Sequence, residues 1–402
     1  MQPSQLDQGL LAPLQLDGHA DGPLSGLDVV VKDVFDIAGT VTGYGNPDWA
    51  RLHPAASSDA AVVARLREAG ARVVGKAKTV EFTYGLEGSN HWYGTPLNPA
   101  AADRLPGGSS CGSAGAVGAG LAAVGLGSDT GGSVRIPASY CGLFGIRPSW
   151  GSISLQGGVP YVPSLDTPGW LCRDVGTLRR VGEALLPWGP PVDGPLLLLS
   201  EAWDNARPEV AAALDATCRQ LARAGWTVQE ARLAPQGLEP LREMFATLHG
   251  REAWQSLGPW IEEFAPAMGE TTAERFRVAS QVGVAAARSA RVARQDFRAR
   301  MHGLLAAGGV LVFPTSPCVA PLLGADAAEL GRVRVQSQRV TAIAGLAGLP
   351  ELSLPLARVD GLPVGLSLVA ASGRDLALLA LAERLCEALG LPGGAAAPAG
   401  GG

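Results

Sequence analysis

An α/β fold, a single large domain with a central mixed β-sheet covered by helices on both faces, is what this sequence predicts, and three observations predict it. Short, continuously apolar runs recur at 27–34, 196–199, 310–315 and 364–369, the pattern of strands covered on both sides. Segments with helical spacing alternate with them at 59–69, 208–224 and 375–389, as a sheet with crossover helices requires. With 402 residues and 47% hydrophobic content, the chain has enough apolar surface to bury a large core.

Taken in order, the run 27–34 sets Lys32 among valines in the first predicted strand. Ser57 and Ser58 stand before the 59–69 helix as candidate N-caps. Gly70 closes that helix and leads into a strand over 71–75. Residues 113–126, rich in Ala, Gly and Val, are expected to form one central helix, because small residues allow close packing. The strand at 196–199 precedes the 208–224 helix and a strand near 226–230. From about 240 to 305 the chain turns helical and more charged, a segment expected to form a pocket wall or lid. The runs at 310–315 and 364–369 return as buried strands, and 375–389 is a closing helix. The domain is drawn over 1–392, with its motif-bearing core at 25–175. The tail 393–402, all Gly, Ala and Pro, is expected to be disordered.

Composition excludes several classes of function. The net charge is −5, and no basic run of the kind that tracks phosphates is present, so no nucleic-acid partner is expected. Six cysteines, at 111, 141, 172, 218, 318 and 386, form no ligand-spaced pair. No metal site is expected from them, and a reducing, cytoplasmic setting fits. The uncharged stretch 105–128 is long enough to span a bilayer, but its Pro, Ser and Gly content reads as a buried loop and helix. No membrane partner is expected, and Met1 to Gln15 lacks the basic and apolar regions of a signal peptide.

The chemistry is concentrated in one glycine-rich run. It reads Pro106-Gly107-Gly108-Ser109-Ser110-Cys111-Gly112-Ser113, then, after an Ala/Gly/Val stretch, Gly127-Ser128-Asp129-Thr130-Gly131-Gly132-Ser133-Val134-Arg135. Breaking an amide needs an activated nucleophile, a proton carrier and a clamp for the oxyanion. Glycines before Ser133 let successive backbone N–H groups converge on one point, and the Ser133 hydroxyl ends that nest. Lys32 is one of only three lysines, with Lys76 and Lys78. Burial among valines favours its neutral amine, the form that acts as a base. Ser109 can relay a proton, since a hydroxyl both donates and accepts. Asp33, next in sequence, is also a plain ion-pair partner for Lys32, and a lysine at a strand end can simply reach for water. Asp129 reads as a loop cap, and Arg135 as a brace for the nucleophile loop. Three shorter matches carry little. Gly108 to Gly112 lacks the strand and the histidine of a nucleophile elbow. The 70–76 stretch is strand-like where a phosphate loop is needed, and Gly118-Ala119-Gly120 lies inside helical spacing.

The run from Gly107 to Pro137, with Lys32-Asp33 upstream, resembles the amidase signature family of serine hydrolases. Segments 75–99, 142–166, Phe313-Pro314-Thr315 and Gly361 to Leu366 are similar to the family as well. The resemblance implies the amidase signature fold and a Ser-cisSer-Lys triad. It assigns Ser133 as nucleophile, Ser109 as relay after a cis Gly108–Ser109 bond, and Lys32 as base. The oxyanion hole would be the amides of Thr130 to Ser133, with Ser110, Asp129 and Arg135 in support. Tyr84 would sit near the acyl pocket. Cys111 stands where many members carry a third serine. Val41 to Trp49 and Ile136 to Gly142 look most like the indole-3-acetamide hydrolase-like branch.

The resulting expectation is hydrolysis of a small-molecule carboxylic amide through an acyl-enzyme, without cofactor, by a monomer or homodimer. An aryl-acetamide such as indole-3-acetamide is the expected substrate. Two other readings stand beside it: a glutamine amidohydrolase subunit of a tRNA-dependent amidotransferase, and a non-catalytic amidase-fold binding protein.

Overall fold

Eleven strands pair side by side into one mixed sheet in the computed structural model, which describes residues 4–391. The strands are β1 (Leu10–Leu16), β2 (Asp28–Lys32), β3 (Arg72–Ala77), β4 (Val124–Asp129), β5 (Phe144–Arg147), β6 (Thr167–Cys172), β7 (Leu196–Leu199), β8 (Val228–Ala231), β9 (Val310–Pro314), β10 (Glu351–Val359) and β11 (Leu362–Val369). Their order across the sheet is β1-β3-β2-β4-β6-β5-β10-β11-β9-β7-β8. The pairs β2–β3, β2–β4, β7–β8 and β7–β9 are parallel and the others antiparallel. Consecutive residues, which point to opposite faces, are both buried along β5, β6 and β9. Both faces of the central sheet are therefore covered.

The cover comes from α1 (Pro47–Leu52), α2 (Ala61–Glu68), α3 (Cys111–Gly118), α4 (Arg135–Cys141), α5 (Val175–Leu185), α6 (Ser200–Asp204), α7 (Pro208–Arg223), α8 (Glu239–Phe264), α9 (Glu270–Ser280), α10 (Val284–Leu305), α11 (Ala327–Ala347) and α12 (Asp375–Ala388). Among the described residues, no helix is long and apolar enough to cross a membrane. All six cysteines are buried and unbridged.

The α/β class and the strands read from apolar runs hold. The segment 113–126 does not form one helix. α3 ends at Gly118, Gly120 turns the chain at φ +82°, and β4 follows at the centre of the sheet. A glycine-rich central strand has the same small-residue composition as a closely packed helix, and its period of two was hidden by Gly125 and Gly127. The predicted caps are also displaced. α2 starts after Ala60 with no side-chain cap; Asp59 instead accepts from the Ala38 amide at 2.8 Å and from Arg67 at 2.6 Å. The tail 393–402 lies outside the described residues.

Register places the site. Val29 pairs with Val124 and Val31 with Leu126 in parallel, so the carboxyl ends of β2 and β4 lie side by side. Ligands of open α/β sheets collect beyond such carboxyl ends. Lys32 ends one strand, and Ser128 and Asp129 end the other.

α3 can lie this close only because Gly112 has no side chain: a Cβ there would come 2.3 Å from the Lys78 amide nitrogen and 2.5 Å from the Gly9 carbonyl oxygen. Overpacking backbone in this way costs about 1–3 kcal/mol or more. Gly112→Ala is therefore expected to lower the chemical-denaturation midpoint by at least that equivalent. Gly303→Ala, in α10 with nothing within 4 Å, is expected to raise stability by roughly 0.5–1 kcal/mol through helix propensity.

Candidate active site

Lys32 is fully buried, and its Nζ donates to Ser109 Oγ at 2.7 Å and to Ser128 Oγ at 2.9 Å. Burial lowers its pKa to about 7, against the pull of Asp129 and Asp166, which favours the charged form. The ordinary ion-pair reading fails here. Asp33 pairs with Lys76 at 2.9 Å and accepts from the Gly43 amide at 3.0 Å, because Lys32 and Asp33 leave the end of β2 in opposite directions.

Ser109 follows a cis Gly108–Ser109 peptide bond. Its carbonyl accepts from the Val80 amide at 3.2 Å and from Thr79 Oγ1 at 3.1 Å, which leaves its hydroxyl free to face Lys32. The Ser110 amide donates to the Ser133 carbonyl at 3.1 Å, and Ser110 Oγ donates to the Ser128 carbonyl at 3.3 Å. Backbone thus ties the 109–110 turn to the loop carrying Ser133. Among the described residues no hydrogen bond joins the Ser109 and Ser133 hydroxyls directly.

The 130–134 loop is shaped from beneath by one carboxylate. Asp129 accepts from the amides of Gly132 (2.9 Å) and Val134 (3.0 Å), from Arg135 Nη2 (2.7 Å) and from Arg147 Nη1 (3.2 Å). Burial alone would raise its pKa, but Arg135 and Arg147 hold it far below the usual carboxylate range. Arg135 continues to Glu351 Oε2 at 2.5 Å, and all four charged side chains are fully buried. Gly132 sits at φ +113°, and a Cβ on it would meet the Thr341 methyl at 2.8 Å. A Cβ on Gly131 would meet the Phe245 ring at 2.5 Å. The Gly132 N–H, one of the four amides expected in the nest, is taken by Asp129. Thr130 Oγ1 donates to Asp166 at 2.6 Å, and Asp166 also accepts from the amides of Tyr161 and Val162.

An aromatic wall stands beside the nest. The Tyr84 ring lies 5.0 Å from His249, 5.5 Å from Tyr161 and 5.2 Å from Phe276 between centroids. Phe245, which covers Gly131, is 5.2 Å from His249. Burial, with Arg334 and Arg275 nearby, lowers the His249 pKa to about 3, so this imidazole is neutral.

The structure therefore brings together Lys32, Ser109 and the Ser133 loop, with Ser110, Asp129 and Arg135 beneath and Tyr84 in the wall. Sequence reasoning missed Ser128, Asp166, Arg147, Glu351 and Phe245. Ser128 was within reach of it, since it would end a strand parallel to β2 once β4 is recognised. Glu351 and Phe245 are distant in sequence and carry no local signal.

A buried lysine amine and two serine hydroxyls thus meet at the carboxyl ends of the parallel strands β2 and β4. The chain matches the Amidase family model over residues 7–191 and 197–379 and belongs to the amidase signature family, hydrolases of amide C–N bonds. It is 37% identical over 395 residues to Amidase 1 of Arabidopsis thaliana, covering 90% of this chain and 93% of that protein. To Amidase 1 of Oryza sativa subsp. japonica it is 36% identical, covering 91% of each chain. A crystal structure of an amidase superposes with a TM-score of 0.81 at 32% identity, over 90% of this chain and 84% of that one.

The Lys32 environment makes a stability prediction. The folded state holds this amine near 7, below the ordinary lysine value of 10.5, so the unfolded chain binds more protons between those values and stability rises with pH across them. Lys32→Met removes that slope. Denaturant titrations at pH 7 to 10 are expected to show the variant gaining on the wild type as pH falls.

Proposed function

We propose that the protein hydrolyses a carboxylic amide through an acyl-enzyme on Ser133, with Ser109 as relay and Lys32 as base. The observation that carries this reading is the 2.7 Å hydrogen bond between Lys32 Nζ and Ser109 Oγ in a fully buried site. An amine titrating near 7 is half neutral at physiological pH, where a general base works best. Neutral Lys32 takes the Ser109 proton as Ser109 takes that of Ser133. The Ser133 oxygen attacks the carbonyl, and the oxyanion receives N–H groups from Thr130, Gly131 and Ser133. Collapse returns the proton by the same route to the departing nitrogen, which leaves as ammonia or amine. Water, deprotonated along that path, then releases the carboxylate. Ser128 keeps the Lys32 amine aimed in each step. The wall of Tyr84, Tyr161 and His249 supports a flat acyl group, and an aryl-acetamide such as indole-3-acetamide fits that requirement.

Ammonia release from indole-3-acetamide and phenylacetamide tests the reading. Ser133→Ala is expected to abolish turnover with the fold intact by circular dichroism, and Lys32→Ala to lower it about 10²–10⁴-fold. Undiminished turnover in Ser133→Ala removes that residue as nucleophile. The pH profile is a second check. Because the neutral amine is the active form, kcat/KM is expected to fall tenfold per unit below about pH 7. A limb flat to pH 5 would assign the base elsewhere.

A further inference from the structure

A cleft of about 540 Å³ opens between Val80, the 87–91 loop, the first turn of α9 and one face of α11. A narrower cavity, lined by Leu86, Tyr140 and Ser337, continues from it, and the two share Glu87, Leu330 and Arg334. Elements at both ends border the candidate site. Val80 donates its amide to the Ser109 carbonyl at 3.2 Å. Ser337 stands one turn before Thr341, whose methyl packs on Gly132. From Arg334 to Thr341 the helix rises about 10 Å, the scale of a small amide.

Charge at the junction is uneven. Arg275 donates to Glu87 Oε1 at 2.6 Å and to the Tyr84 carbonyl, while Arg334 Nη1 stays 3.8 Å from the same oxygen. Two cations share one carboxylate. Glu81, also in the cleft, is already engaged by Asn46, Trp92 and the Gly269 amide, and Glu270 is exposed. Arg334 Nη1 and the Tyr161 hydroxyl are both buried with no acceptor among the described residues. They share one wall: Arg334 lies 5.7 Å over the Tyr84 ring, which is 5.5 Å from Tyr161. Buried donors without acceptors are costly, and an acceptor oxygen of a ligand placed here would satisfy them.

We infer that Arg334, aided by the Tyr161 hydroxyl, is a specificity subsite for a carboxylate on the acyl part of the substrate, remote from the scissile amide. This rests on the acyl-enzyme reading above for where that amide lies. A guanidinium fork suits a carboxylate better than an ammonium does, and such a charge-assisted hydrogen bond is worth about 10- to 100-fold in selection.

The test compares 4-carboxyphenylacetamide with phenylacetamide as the ratio of kcat/KM values. Wild type is expected to favour the carboxylated amide at least tenfold, and Arg334→Gln to bring the ratio near one. Arg334→Lys should keep part of it, and Tyr161→Phe, which removes only a hydroxyl, should lower it a few-fold. A wild-type ratio near one, or one that Arg334→Gln leaves unchanged, overturns the subsite. Calorimetry with the Ser133→Ala protein reads the subsite without turnover, using 4-carboxyphenylacetate against phenylacetate. A preference for the dicarboxylate that is lost with Arg334→Gln supports the subsite even if neither amide is hydrolysed, in which case the acyl-enzyme reading is what fails. Equal binding of the two overturns the subsite independently of catalysis.

Discussion

The Asp129 carboxylate is the interaction on which the rest of the site depends. It ends the central strand β4, and from there it fixes two amides of the 130–134 loop and two arginines. A loop of Thr, Gly, Gly and Ser has little side-chain packing of its own to hold one conformation, and glycine has the most backbone freedom to lose. Several charge-assisted bonds from one buried anion supply that order. They also consume the Gly132 amide, so the same clamp that shapes the loop removes that donor from any ligand.

Such an anion could not stay buried alone, because removing a charge from water costs several kcal/mol unless partners replace the solvent. Here Asp129 and Glu351 face Arg135 and Arg147, a set of two negative and two positive charges with no exposed surface. Glu351 is in turn satisfied by the Ser367 hydroxyl at 2.7 Å, and Ser367 by Thr315 at 2.8 Å. The loop that carries Ser133 is thereby fastened across the sheet to β10, β11 and the residue after β9. The catalytic geometry belongs to the whole sheet as much as to the glycine-rich run.

What sequence made legible divides along physical lines. Strands at 196–199 and 310–314 and the helix at 208–223 were readable because periodicity and apolar length are local properties. Ser109 and Ser133 stood out because they sit in one distinctive glycine-rich run, and Lys32 because it is one of three lysines and lies among valines; the fold brings Lys32 against Ser109. β4 was lost to a helix, since small residues serve close packing in either form. Nothing local marked Lys76, which is 3% exposed and neutralises Asp33. Glu351 and Phe245 reach the site only through long-range packing, which no window of sequence displays.

The three lysines of the chain are all interior, at 0%, 3% and 8% exposure for Lys32, Lys76 and Lys78. Every cationic side chain on the surface is therefore a guanidinium, and the native protein presents no side-chain amine to solvent. Amine-directed labels, crosslinkers and coupling resins find no exposed lysine among the described residues. Covalent modification of lysine in this enzyme therefore reports on how far its interior opens and hardly at all on its skin.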